Sequence, residues 1–162
     1  DIVFGDWSSD VCSSDLTPKV RLKCIYGCPN YNVSKRCPPE ETLSYEQCKS
    51  YLETYQSCII VRFKPINNLC PKDAQDFLLE VERQAMLLNL RFALAIFPKH
   101  CEQCNSCKKG IPCKDPMRSR GSVSSFCIDI LGSLENIGLS QQILQNKEQT
   151  QEWYYIGLVL LE

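Results

Sequence analysis

The chain has 162 residues, 44% of them hydrophobic, with a formal net charge of −1 and twelve cysteines against one histidine. That balance excludes a strongly basic nucleic-acid binder, and no apolar run is long enough to span a membrane. A chain this long buries a core without disulfide staples, so its cysteines point to metal ligation in a reducing cytoplasm, not to the framework of a small secreted domain.

The first sixteen residues, "DIVFGDWSSDVCSSDL", resemble nothing after them. Back-translated, Asp6 to Leu16 fits a sequencing adapter read in frame, and Asp1 to Gly5 are grouped with it. The competing reading is a natural Ser/Asp-rich tail. On the adapter reading, residues 1–16 are a non-native segment and residues 17–162 form a single Cys-rich metal-binding domain. Cys12 then leaves the cysteine count. Removing Asp1, Asp6, Asp10 and Asp15 turns the charge from −1 to +3. The natural N-terminus would lie outside the sequence.

Residues 17–41, "TPKVRLKCIYGCPNYNVSKRCPPEE", hold three cysteines and four prolines without periodicity and read as a loop. Ser44 and Gln47 have capping-box spacing, and the helix they open carries Tyr45, Cys48, Leu52 and Tyr55 on one face. "SCIIVRF" (57–63) is a continuous apolar run, the pattern of a strand buried on both sides. Asp73 to Leu90 predicts a helix with Phe77, Leu78, Val81, Ala85 and Leu88 as its stripe. "RFALAIF" (91–97) predicts a second buried strand. Ser122 to Ile137 predicts a third helix, with Val123, Phe126, Cys127, Ile130, Leu131 and Leu134 inward and Gly138 as its C-terminal stop. A Gln-rich connection (140–152) leads to a last strand, "WYYIGLVLL".

This order predicts an α/β fold: a small, mainly parallel sheet in β-α-β-α-β order, with a preceding helix and two Cys-rich metal-binding loops. The second of those loops would leave the carboxyl end of a central strand, where open α/β sheets place their sites.

That loop, "CEQCNSCKKGIPC", sets Cys101, Cys104 and Cys107 at even three-residue steps. Such steps let a backbone wrap one face of a cubane, as the cysteine run of bacterial ferredoxins does. Cys113 follows five residues later, and Lys114 stands where a ferredoxin has proline. The spacing favours an iron–sulfur cluster, [4Fe–4S]. Zinc is the alternative, held by Cys101/Cys104 and Cys107/Cys113 as two knuckles.

The first loop offers Cys24, Cys28 and Cys37, followed by Pro38 and Pro39. Three thiols suit a cubane with one open iron, or a site whose fourth ligand comes from elsewhere. Cys127 is the candidate for that role, although on an apolar helix stripe it also reads as a small hydrophobe. Cys48, Cys58 and Cys70 read as core residues. His100 reads as a loop residue, with ligation or proton transfer as the competing roles. Lys99, Lys108, Lys109, Lys114, Arg118 and Arg120 crowd the second loop, where they would offset the negative charge of a thiolate-bound cluster. Without interleaved aromatics they do not make a nucleic-acid surface.

No nucleophile–base pair, glycine-rich phosphate loop or H-E-x-x-H motif is present, so catalytic residues stay unassigned and any catalysis would belong to the metal. Taken together, "CIYGCPN…RCPP", "HCEQCNSCKKGIPCKDP" and "CIDI" resemble the predicted metal-binding family catalogued as domain of unknown function 2284, over about residues 20–161. The resemblance implies metal ligation by Cys24, Cys28, Cys37, Cys101, Cys104, Cys107 and Cys113, in a protein of anaerobic microbes. It implies no particular activity. The residues favour a redox module: one or two clusters passing single electrons to a partner protein, with neither nucleic acid nor membrane involved. A zinc-stabilised interaction domain and an enzyme using an open iron of the three-cysteine group are the alternatives.

Overall fold

The computed structural model describes residues 2–6, 15–40, 42–64, 71–107, 110–139 and 154–162. Its elements run β1 (Ile2–Asp6), α1 (Val20–Ile25), α2 (Tyr45–Leu52), β2 (Ser57–Phe63), α3 (Pro71–Leu87), β3 (Leu94–Ile96), α4 (Ile130–Asn136) and β4 (Tyr155–Leu161). The strands form one sheet in the order β1-β2-β4-β3, and each neighbouring pair is antiparallel.

The sheet is therefore not the mainly parallel one expected. β2 and β3 do run in the same direction, because both oppose β4. They flank α3 in sequence as a strand–helix–strand unit would, but β4 inserts between them and they never pair. This is a split β-α-β arrangement. Continuous apolar runs suggested parallel pairing because parallel sheets are covered on both faces. Here an antiparallel sheet is covered on both faces instead. β3 also ends the sheet, so the second cysteine loop leaves an edge strand and not a central one.

Strand alternation divides the core in two. Cys58 and Ile60 of β2, Ile96 of β3, and Ile156, Leu158 and Leu160 of β4 face one way, packing with Cys48 and Leu52 of α2, Leu134 of α4, and Leu16, Val123, Cys127 and Ile128. Val61, Ala95, Phe97 and Val159 face the other way, against Leu78 of α3. Gly157 lies under that helix. A Cβ there would collide with Leu78 Cδ1 and stand 3.2 Å from the Ile96 carbonyl oxygen, so only hydrogen fits.

The capping box of α2 forms as the sequence predicts: Gln47 N donates to Ser44 Oγ at 3.2 Å and Ser44 N to Gln47 Oε1 at 2.9 Å. Cys48 and Cys58 are buried, while Cys70 lies outside the described residues. The connection 140–152 lies outside them too. The buried side of α3 consists of Ala74, Gln75, Leu78, Glu82 and Ala85, whereas Phe77 and Leu88 are exposed. The third expected helix starts only at Ile130. Before it, Ser125 Oγ donates to the Ser122 carbonyl at 2.7 Å and Cys127 takes a φ of 62°. Serine side chains bonding their own backbone, then a left-handed residue, keep 122–129 out of the helix. Gly138, with φ 72°, ends α4 as expected.

Ile2–Asp6 pair with Ser57–Val61 along the outer edge of β2. An open strand edge accepts an extended segment through main-chain bonds alone. Leu16 fills a side-chain position: it is buried in the core, its backbone bridges Ile128, and Asp129 N donates to the Asp15 carbonyl at 3.0 Å. Among the described residues, no helix is long and apolar enough to cross a membrane.

Candidate metal centre

The chain leaves the sheet after Phe97 and returns at Gly121, where Phe97 N donates to the Gly121 carbonyl at 2.9 Å and Val123 N to the Phe97 carbonyl at 3.1 Å. The excursion between these points carries Cys101, Cys104, Cys107 and Cys113. All four line one cavity of about 20 Å³, and Ser34, Lys35 and Arg36 of the first cysteine loop line it as well. None of the seven candidate ligands is in a disulfide.

Three polar residues on α3 hold the excursion in place. Gln75 binds its entry, donating to the His100 carbonyl at 2.8 Å and accepting from Glu102 N at 2.9 Å. Asp76 accepts from Gln103 Nε2 at 2.9 Å and from Arg118 Nη2 at 2.8 Å. Burial acts to raise the Asp76 carboxyl, but hydrogen bonds from Lys72 and Gln103 outweigh it and hold the group below its usual range. Glu82 binds the exit, accepting from Arg120 Nε at 3.0 Å. Sequence pattern alone did not mark Gln75 and Glu82. The available signal was two polar residues seven positions apart, flanking Leu78 on the apolar side of an amphipathic helix.

Of the four expected cations among the described residues, three are committed elsewhere. Arg118 pairs with Asp76 and Arg120 with Glu82, and Lys99 lies 5.4 Å above the Tyr155 ring. Lys108 and Lys109 lie outside the described residues. Lys114 does line the cavity. Lys35, not among the cations expected, is 7% exposed, lines the same cavity and sits 3.2 Å from Glu40. Arg36 beside it donates to Ser119 Oγ at 2.9 Å, joining the two loops. The dipeptide preceding Cys37 was the signal.

His100 is half-buried and joins the loops a second time. Its Nδ1 is 3.1 Å from Asn30 Nδ2, and its Nε2 is 3.2 Å from Glu102 Oε1. Burial lowers its affinity for a proton, with Lys99 acting the same way and Glu102 opposing both.

In the first group, Cys24 sits on α1, a helix where the sequence suggested loop. No residue of α1 is buried, so no apolar period announces it. Burial pushes the Cys37 thiol up to about 11; the Ser34 hydroxyl opposes this, and Cys28, Cys24 and Cys101 add to it by repulsion. Burial also raises Cys24, reinforced by Cys28 and Cys127, and it raises Cys101, reinforced by Cys107 and Cys113. Mutual repulsion of this kind records proximity. Cys28, Cys24 and Cys101 all act on Cys37 in this way, so the two groups are electrostatically linked.

Cys127 and Cys48 are both fully buried and hydrogen-bonded to each other. That bond draws the Cys127 thiol down to about 7, with the Arg21 charge in support, and pushes Cys48 up. Arg21 Nη2 lies 3.6 Å from Cys48 Sγ and donates to the Ser125 carbonyl at 2.7 Å.

Thiolates are the ligands soft metals select, and a raised thiol pKa is overcome when a metal displaces the proton. The donor chemistry of the cavity therefore fits a thiophilic metal. Among the described residues, no three His, Cys, Asp or Glu side chains form a ready-made ion-binding group. The four thiols share a cavity without being clenched on one point.

The model of a family described as "predicted metal-binding protein" (DUF2284) matches residues 10–161. No curated protein and no solved structure matches the chain.

Proposed function

We propose, for a chain that belongs to the DUF2284 family of predicted metal-binding proteins, that Cys101, Cys104, Cys107 and Cys113 hold one [4Fe–4S] cluster and that the protein serves as a redox module for a partner protein. The observation that carries this reading is the single cavity lined by all four thiols. Their ferredoxin-like C-x2-C-x2-C spacing selects the cluster. A bound cluster would supply one-electron chemistry. The protein's part is to exclude water, to offset thiolate charge with Lys114, and to hold the loop rigid through α3. Cys24, Cys28 and Cys37 form the first group, with its fourth position filled by Cys127, by a small ligand or by nothing. On this reading the protein works in the cytoplasm.

A single structural zinc is the second reading. It is favoured by the cavity's volume of about 20 Å³, room for about one water-sized body. Anoxic purification separates the two. The redox reading expects a brown protein whose visible absorption is bleached by dithionite. A colourless protein carrying one zinc per chain would replace it with the zinc reading.

A further inference from the structure

Gln75 occupies a core position on α3, between Ala74 and Leu78, and is 0% exposed. A primary amide buried there is costly unless its donors and acceptor are satisfied. Leucine would be the ordinary occupant of such a position. Each of Gln75's side-chain hydrogen bonds goes to the second cysteine loop: Nε2 to the His100 carbonyl at 2.8 Å, and Oε1 from Glu102 N at 2.9 Å and from Gln103 Nε2 at 3.5 Å. The first two partners are the peptide groups on either side of Cys101. One side chain thus brackets that residue from a rigid helix, and Cys101 itself packs against the core cluster beneath α3. A flexible loop alone would leave the sulfur free to swing. Bracketing fixes its origin before any metal arrives.

We infer that Gln75 is a positioning residue for the metal centre: by clamping the peptide groups on both sides of Cys101, it presets the direction of that ligand and thereby the site's affinity. The inference rests on the reading of Cys101, Cys104, Cys107 and Cys113 as a metal site. Neighbours that orient ligands without touching the metal are commonly worth ten- to a hundredfold in affinity.

The test compares the anoxically purified protein with Gln75→Leu, Gln75→Glu and Ala85→Gly. Bound metal is measured in competition with excess chelator, and stability by denaturant midpoint. Gln75→Glu keeps the shape and the acceptor for Glu102 N but sets an oxygen against the His100 carbonyl. Ala85→Gly weakens α3 almost three turns away. Gln75→Leu and Gln75→Glu are expected to hold metal ten- to a hundredfold more weakly and to move the thiolate-to-metal absorption, with Ala85→Gly matching wild type on both. Weaker metal binding in Gln75→Glu at an unchanged denaturant midpoint would support the inference should Gln75→Leu not fold. Unchanged affinity in both Gln75 variants would overturn it, as would a loss that Ala85→Gly reproduces at equal stability. A wild-type protein that binds no metal would instead bring down the metal reading beneath it.

Discussion

Arg120 donates from Nε to Glu82 Oε2 at 3.0 Å, and its Nη2 reaches Oε1 of the same carboxylate. The Glu82 side chain is 8% exposed and that of Arg120 20%. Glu82 Oε2 also accepts from Ala95 N, so one carboxylate joins helix α3, strand β3 and the end of the cysteine excursion. Removing one member of a buried pair strands the other's charge. Arg120→Met should therefore cost about 3 kcal/mol, read as a lower denaturant midpoint at unchanged slope. An unchanged midpoint would show that the pair is solvated and does not join the loop to the sheet.

Gly157→Ala should also destabilise, by about 1–3 kcal/mol, because the new methyl meets Leu78 inside a filled core. Gly27 is the matched control: nothing lies within 4 Å of a Cβ there, and Gly27→Ala should be close to neutral. Equal melting temperatures for the two variants would contradict the packing of α3 on β4.

The Cys48–Cys127 pair should make the metal-free, reduced protein more stable as pH rises from 7 to 9. An unfolded Cys127 keeps its proton up to its ordinary value of 9.0, while the folded thiol releases it at about 7. Between those values the unfolded state binds more protons, so stability increases with pH; the gain is lost as pH falls through 7. Cys48, shifted upward, works in the opposite direction above 9.0. The rise should be on the order of 1–2 kcal/mol and vanish in Cys127→Ser. A wild-type profile that Cys127→Ser leaves unaltered would refute the assignment.

Single-cysteine variants address how the two groups relate. Cys113→Ser should remove the metal of the second group and leave the first, and Cys37→Ser should do the reverse, each seen as loss of about half the bound metal. Because Cys101 also acts on Cys37 electrostatically, the rival outcome is plain: loss of all metal from either folded variant would mean one shared centre.

Deleting residues 1–14 should leave metal content unchanged and shift the melting temperature little, since β1 adds main-chain pairing at an edge. Extending the deletion through Leu16 removes a buried side chain and should cost about 2 kcal/mol more. Loss of metal on the shorter deletion would show that the leading segment belongs to the working fold.

Local signals in the sequence were strong where one residue decides one feature. Ser44 and Gln47 announced a helix start, Gly138 a helix end, and the run 57–63 a strand covered on both faces. Cys101, Cys104, Cys107 and Cys113 were legible as a group because they are close in sequence, and the structure brings them to one cavity. Pairing direction was not legible, since β4 meets β2 and β3 only after a long connection and apolar content does not record which slot it takes. Nor were Gln75 and Glu82, whose loop partners His100 and Arg120 lie 25 and 38 residues further along the chain. A polar residue on a buried helix face shows only that something must satisfy it.

The central place of β4 also bears on the order of assembly. During synthesis both cysteine loops leave the ribosome before Tyr155–Leu161, the strand that joins β2 to β3. Until it arrives, β3 has no neighbour in the sheet, and the platform beneath Cys101 lacks its floor. Long-range strand pairing is the slow step of such topologies. The nascent chain thus exposes all seven candidate thiols before the sheet beneath Cys101 is complete.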